Sequence, residues 1–347
     1  MTPSTSDIND RRVSLRTIAS AAKVSLMTVS YALRNSPQVS SEERTRIQGI
    51  AEKLGYKPDP LLTHLMQHLR SQRALKSGGN LAVLQTLDAP FVKRLVQGAS
   101  ARAARLGYNL DHIELGAYSG RAQALTRMLI ARGISGLILA PTANPASYDQ
   151  LLDWSRFAAV AMTYSVVDPR VHRVVTHHFD NAVRTFALLD QRGFKRVALA
   201  MTRDMEFRAN HSYSGAYFRT TLESGKKILP ILFLDDTSRR SMRTWFEDNQ
   251  PDAIVAANAH QVRDILLPGL GARICAQTAF ATLDYEQTAG IAGIDQRFEI
   301  IGGHALDAVV AQIHRNEKGL PDNPTIAMVE GHWNEESGLF PFQSKKS

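Results

Sequence analysis

The spacing of hydrophobic residues divides the chain into a short helical segment and a long segment of alternating strands and helices. From Val13 to about Tyr56, apolar residues recur three or four positions apart, which predicts three short helices. From Leu81 onward, short apolar runs such as LAVLQTL alternate with amphipathic stretches such as PFVKRLVQGASARAARLG. This alternation predicts parallel sheets covered by helices, and about 250 residues of it favour two lobes over one sheet.

Capping residues mark the ends of the three N-terminal helices. Ser25 can cap the helix LMTVSYALR, and the Pro in NSPQV ends it. Ser40 and Glu43 have the spacing of a capping box for the third helix, which Gly55 ends. Three short helices with a tight turn between the first two predict a helix-turn-helix unit.

One further amphipathic helix is predicted between the two segments. Asp59 and Pro60 suit its start, and leucines follow at helical spacing up to Leu69. SGGN then predicts a linker that ends at Asn80. An isolated helix of about a dozen residues is marginal in water, so we expect this one to fray without a partner.

Positive charge is concentrated at one end of the chain. The net charge is +8, and residues 1–76 hold 12 Lys and Arg against 6 Asp and Glu. The remaining chain, with 29 against 27, is nearly neutral. This distribution suits a protein that binds a polyanion with its N-terminal part, although a solvated basic surface would give the same count.

The single cysteine, Cys275, excludes an internal disulfide framework. The sequence contains neither a signal-peptide pattern nor an apolar run of about 20 residues, so we expect a cytoplasmic protein without a membrane partner. We find no catalytic motif and no metal-ligand set, so we expect no enzyme activity, no metal and no cofactor.

The segment VSLRTIASAAKVSLMTVSYALRNSPQVSSEERTRIQGIAEKLGYKP resembles the LacI/GalR family of bacterial transcription regulators. The likeness lies in the A-x-x-A first helix, the V-S-x-x-T-V-S start of the second, and the L-G-Y-x-P exit. It covers nearly all of Val13 to Pro58, while the core matches more loosely. The resemblance implies an N-terminal all-α helix-turn-helix, a hinge helix, and an α/β core. That core would have two parallel-sheet lobes resembling periplasmic sugar-binding proteins and would work as a homodimer.

At the DNA end, the resemblance implies that the second helix lies in the major groove of a near-palindromic operator. Leu26, Met27 and Tyr31 would face base edges, where family members usually carry polar or Arg side chains. Ser25, Thr28 and Ser30 are suited to phosphate contacts. Leu65 aligns with the hinge leucine that wedges between base steps. The expected DNA-binding residues are Ser25, Leu26, Met27, Thr28, Ser30, Tyr31, Arg34 and Leu65.

In the core, the resemblance implies a small-molecule effector, a sugar or related metabolite, held between the lobes at strand ends. This chain has Ser212 where the family usually carries an arginine, and Arg208 is the expected substitute. The expected effector-binding residues are Phe91, Tyr164, Arg208, Asn258, Asp284 and Gln296.

The sequence thus predicts a ligand-controlled DNA-binding repressor. The alternatives are a small-molecule binding protein of the transport type and an α/β enzyme. The expected divisions are a disordered tail over 1–12, the helix-turn-helix over 13–58, a hinge helix and linker over 59–80, and the two-lobed domain over 81–340.

Overall fold

The computed structural model describes residues 14–33, 38–56, 79–118, 120–286 and 290–335. The predictions for the tail 1–12, the hinge segment 59–73, Arg34 and Leu65 lie outside the described residues. The N-terminal unit consists of α1 (Leu15–Ala22), α2 (Leu26–Leu33) and α3 (Ser41–Lys53).

The N-terminal unit has a core of its own. Each helix contributes a fully buried branched side chain, namely Ile18, Val29 and Ile47, and α2 also buries Ala32. Side chains of α3 also hold the ends of the other two helices. Arg46 Nη2 donates to the carbonyl of Ala22 in α1, and Gln48 Nε2 donates to that of Ala32 in α2, both at 3.0 Å. Unsatisfied carbonyls at a helix C-terminus need such donors, so α3 fixes how α1 and α2 are oriented.

The first lobe of the core contains a parallel six-stranded sheet in the order β13-β7-β5-β3-β1-β2. One face packs against two long helices and the other against a shorter one. Its strands are β1 (Asn80–Gln85), β2 (Asn109–Glu114), β3 (Ile134–Leu139), β5 (Ala158–Met162), β7 (His172–Thr176) and β13 (Ile326–Val329). A separate two-stranded pair is formed by β4 (Ala146–Ser147) and β6 (Val166–Asp168). The helices of this lobe are α4 (Pro90–Leu106), α5 (Ala122–Ala131) and α12 (Phe298–Arg315).

The second lobe contains a six-stranded sheet in the order β14-β12-β11-β10-β8-β9, in which β14 runs antiparallel to β12. Its strands are β8 (Val197–Met201), β9 (Leu232–Phe233), β10 (Ala253–Ala256), β11 (Ala279–Thr282), β12 (Gly293–Asp295) and β14 (His332–Asn334). Its helices are α6 (His178–Gln191), α7 (Arg203–Arg208), α8 (Ser212–Glu223), α9 (Arg239–Asn249), a π-helical turn (Gln261–Leu266), α10 (Leu267–Leu270) and α11 (Ala272–Cys275).

Helices α4 and α12 cross at a very short distance. A Cβ built on Gly302 would lie 1.8 Å from the carbonyl oxygen of Leu95, and one built on Gly98 would lie 1.9 Å from that of Glu299. Only glycine allows the two backbones to approach so closely, so these positions fix the packing of the first lobe.

The chain passes between the lobes three times. It leaves β7 for α6, β12 for α12, and β13 for β14. Each crossing departs from the carboxyl end of its strand. The carboxyl edges of the two sheets therefore lie against the crossings, and we refer to the space between them as the interlobe cleft.

Candidate functional site

The second helix of the N-terminal unit begins at a well-formed cap. Ser25 Oγ accepts a hydrogen bond from the amide of Thr28 at 3.0 Å, as its sequence position predicts. The two hydroxyls also lie 2.8 Å apart. The N-terminus of α2 is therefore capped, and its first turn offers polar atoms to an anion.

The exposed face of α2 is apolar. Leu26 and Met27 are 44% and 61% exposed, although neither can form a directional hydrogen bond. Tyr31 differs from them because it is half-buried and packs against the core of the three-helix unit. Leu26 and Met27 are consequently the side chains of α2 that are best placed to meet a partner surface.

The turn before α2 contains a non-glycine residue in a left-handed conformation. Lys23 has φ 53° and ψ 43°, and its amide caps the carbonyls of Ala19 and Ser20. Such a conformation costs an ordinary residue about 1 kcal/mol. The capping bonds offset part of that cost and hold the turn between α1 and α2.

At the second crossing, Gln296 is fully engaged by protein groups. It is 4% exposed, and its Oε1 accepts a hydrogen bond from Thr176 Oγ1 at 3.0 Å. Its Nε2 donates to the Leu283 carbonyl at 2.8 Å and to Tyr213 Oη at 3.3 Å. Gln296 therefore joins the ends of β7, β11 and β12, and in this state it ties the lobes together.

Tyr213 extends this network to an aromatic group. Its hydroxyl lies 3.0 Å from His178 Nδ1, and the two rings meet edge to face at 5.2 Å. Burial lowers the pKa of His178 to about 4, so the imidazole is neutral at physiological pH. The Tyr164 ring lies 6.4 Å from His178 on the first-lobe side.

Asp284 follows β11 at the cleft. Among the described residues its carboxylate has no hydrogen bond or ion pair, and burial raises its pKa to about 7. The positive charge of Arg94 lowers the pKa of Asp284, whereas the negative charges of Asp295 and Glu286 raise it further. A carboxyl group that titrates near neutrality in a cleft is typical of a binding or catalytic position.

The first-lobe side presents aromatic rings and one arginine. Phe91 lies 5.6 Å from Phe298. The Arg94 guanidinium sits 5.3 Å above the Phe298 ring, bonds Glu299 at 2.6 Å and reaches Asp295 at 3.1 Å. The bonds to Glu299 raise the pKa of Arg94 above its usual value. Arg94 therefore joins α4 to the end of β12.

The remaining two expected effector residues already have partners in the protein. Asn258 lies after β10, and its Oδ1 accepts from the Gln261 amide at 2.9 Å. Arg208 pairs through Nη2 with Asp204, while its buried Nε has no partner. Arg208 therefore does not supply a fully free guanidinium in place of the arginine that the family usually has at the Ser212 position.

The structure thus places Asn258, Asp284 and Gln296 at strand ends on one side of the cleft. Sequence reasoning missed the roles of His178, Tyr213 and Arg94, which lie within helices. Their spacing gave no signal, because helical periodicity identifies a buried face without showing what that face meets.

Within the described parts of the chain, no helix is long and apolar enough to span a membrane. The same residues contain no group of three His, Cys, Asp or Glu side chains that could hold a metal ion.

Comparison with known proteins agrees with this architecture. The family described as bacterial regulatory proteins, lacI family, matches residues 14–59. The family of periplasmic binding proteins and sugar binding domain of LacI family matches residues 79–319.

Individual relatives are distant. The HTH-type transcriptional repressor CytR of Escherichia coli (strain K12) is 24% identical over 186 residues, which cover 53% of this chain and 52% of CytR. The match thus spans about half the length of that relative. The HTH-type transcriptional regulator YkvZ of Bacillus subtilis (strain 168) is 23% identical over 84% of this chain and 91% of its own.

Two solved structures show the same fold. The transcriptional regulator CelR in complex with cellobiose has a TM-score of 0.57 at 20% identity and covers 94% of this chain and 100% of its own. The lac repressor dimer bound to operator and the anti-inducer ONPF has a TM-score of 0.55 at 18% identity, with 95% and 100% covered. Because the second family match alone extends over more than half of the chain, this protein belongs to the LacI family of bacterial regulatory proteins.

Proposed function

We propose that this protein is a cytoplasmic transcription repressor that binds a near-palindromic operator as a homodimer and responds to a small molecule in the interlobe cleft. The observation that carries the proposal is the capped α2 with its exposed first turn, on a unit joined to a two-lobed core. Its relatives are named as transcription regulators, which supports a binding role for the cleft rather than catalysis.

Sequence reading is assigned to the start of α2. Leu26 and Met27 would meet thymine methyl groups in the major groove, since they have no hydrogen-bonding atoms to match other base edges. Ser25, Thr28 and Ser30 would contact phosphates and set the register of the helix. Tyr31 would read a base edge through its hydroxyl only, because its ring packs on the helical core.

Operator selection from random duplexes tests this assignment. The wild-type protein should select a site with two related half-sites, as a two-fold symmetric dimer requires. Met27→Gln should change the preferred base at one or two positions in each half-site, because a glutamine can bond adenine in a bidentate manner.

Ala21→Gln is the matched control, since it places the same side chain at an exposed position of α1. It should leave the selected sequence unchanged. Failure of the wild-type protein to enrich any sequence would refute the repressor assignment. An unchanged consensus with Met27→Gln would refute the reading role of α2.

A further inference from the structure

The second-lobe side of the cleft has more acidic groups than it has partners for them. Asp284 has neither a hydrogen bond nor an ion pair among the described residues. Its position is fixed, because the preceding carbonyl, that of Leu283, is held by Gln296 Nε2 at 2.8 Å. The same nitrogen reaches Tyr213 Oη at 3.3 Å, so Asp284 lies beside the buried hydroxyl of Tyr213.

A second carboxyl group, that of Glu206, is held by the helix that carries Tyr213. Glu206 on α7 is only 7% exposed and bonds Ser214, the residue after Tyr213. Its Oε2 is buried without a hydrogen-bond partner. Asp284 and Glu206 both raise the pKa of Tyr213, although burial is the larger cause, so both charges lie close to its hydroxyl. A buried carboxyl oxygen without a donor costs free energy until something donates to it.

The nearby arginines do not neutralise this pair. Arg208 forms an ion pair with Asp204. Arg94 is shared between Glu299 and Asp295. The family's usual arginine position is Ser212 in this chain. Among the described residues Asp284 therefore has no ion pair. The imidazole of His211 lies 3.9 Å from Glu206 Oε1 and pairs with it only when protonated.

We propose that the effector carries a protonated nitrogen, an amine or a guanidinium, which Asp284 and Glu206 bind together. A neutral oxygen of the same molecule would accept from the buried Nε of Arg208, which also has no partner. This inference rests on the proposed function, because it names the ligand class of the same cleft. A cation between two carboxylates gains charge-assisted hydrogen bonds that a neutral polyol cannot provide.

Thermal stability with a matched pair of small probes tests the ligand class. 2-Hydroxyethylguanidine and N-(2-hydroxyethyl)urea have nearly the same shape, but only the first is charged. The guanidinium probe at millimolar concentration should raise Tm, because a ligand stabilises the state that it binds. The urea probe, glucose and ribose should give a smaller shift or none.

The pH dependence of binding provides a second readout. The guanidinium stays charged between pH 6 and pH 8, whereas Asp284, with a pKa of about 7, ionises over this range. Arg94 from α4, Asp295 from β12, Glu286 from the following loop and Tyr213 from α8 face this carboxyl group. The affinity for the guanidinium probe should therefore rise about tenfold from pH 6 to pH 8.

Asp284→Asn and Glu206→Gln should each abolish the shift caused by the guanidinium probe, whereas Glu247→Gln, at an exposed position of α9, should retain it. If Glu206→Gln fails to fold, Asp284→Asn and the pH series decide the question. Stabilisation by glucose or ribose but not by the guanidinium probe would overturn the proposal, and so would equal stabilisation of the wild type and Asp284→Asn. Operator selection is carried out without these probes, so failure here is distinct from failure of the proposed function.

Discussion

Replacing Gln296 tests whether the second crossing holds the lobes together. Gln296→Met keeps an unbranched side chain of similar length but removes every hydrogen bond that the amide makes. The hydroxyl of Thr176, which is 2% exposed, loses its acceptor at 3.0 Å. The Leu283 carbonyl loses its donor at 2.8 Å, whereas the Tyr213 hydroxyl keeps its hydrogen bond with His178 Nδ1 at 3.0 Å.

Two buried polar groups would therefore lose their partners. Each such group costs about 1–3 kcal/mol, and the added apolar contact offsets part of the total. We expect a net loss of about 2–3 kcal/mol in the free energy of unfolding of the core. For a domain of this size the loss corresponds to a fall in Tm of about 4–12 °C.

Scanning calorimetry on the full chain measures the change, and hydrogen exchange at the end of β11 reports where it acts. Gln312→Met is the matched control. Gln312 is also 4% exposed, but its Nε2 makes only long bonds, 3.3 Å to the Ala159 carbonyl and 3.5 Å to the Ala308 carbonyl, within one lobe. If Gln296→Met lowers Tm no more than Gln312→Met does, the amide network does not hold the crossing.

Two further changes probe the packing and the cleft. Gly302→Ala should destabilise the first lobe by about 3 kcal/mol or more, because its Cβ would lie 1.8 Å from the Leu95 carbonyl oxygen. Gly303→Ala, whose nearest contacts lie at 3.9 Å, should leave Tm unchanged or raised in the same melting experiment; equal losses for the two variants would contradict the crossing geometry. Asp284→Asn should raise Tm relative to the wild type at pH 8 but not at pH 4. Because burial raises the pKa of this carboxyl group, the group stabilises the fold at low pH, and that contribution is lost as pH rises to about 7. A Tm difference that does not change with pH would show that Asp284 is not desolvated in the native state.

Local rules predicted much of the fold because they depend on residues that are close in sequence. The cap at Ser25 and the left-handed Gly55 at the end of α3 agree with the sequence analysis. The capping box at Ser40 is only half formed. Its hydroxyl accepts from the Glu43 amide at 3.3 Å, but the Glu43 carboxylate bonds Arg46 at 2.8 Å instead of the backbone. On a helix, a side chain three residues further on lies close enough to bind that carboxylate in place of the backbone amide.

Most buried strands and long helices of the core also followed from hydrophobic runs. The short pair β4 and β6 and the strands β7 and β12 were not predicted, and neither were β13 and β14 at the end of the core. Residues Ile326 and Met328 of β13 are half-exposed on an edge of the sheet, so this strand lacks the apolar signature of a buried one. Strands β13 and β14 lie before and after the third crossing between the lobes, and a crossing is a tertiary feature that hydrophobic runs do not predict.

The candidate effector site was predicted in position rather than in detail. Asn258, Asp284 and Gln296 each follow a strand, so they were expected at one edge of a parallel sheet, and they lie there. Partners that are distant in sequence determine what each side chain can do. Gln296 bonds a threonine 120 residues away, and its amide is thereby occupied. Sequence spacing contains no information about such a pairing, so the same pattern would suit a free ligand contact or a structural bond.

The position of Asp284 suggests how ligand binding could reach the crossing. Its neighbour Leu283 supplies the carbonyl that Gln296 holds, so a ligand that pulls on Asp284 acts one residue from the bond between the lobes. A ligand changes the balance between two arrangements only if it binds them with different affinities. A difference of about 1–3 kcal/mol would change operator affinity roughly 5- to 150-fold. Since Asp284 and Glu206 lie on one lobe and Phe91 on the other, closure of the cleft would bring additional contacts to the same ligand. The carboxyl groups on one lobe would hold the ligand in both arrangements, and the contacts that the other lobe adds on closure would provide the differential affinity that such a switch requires.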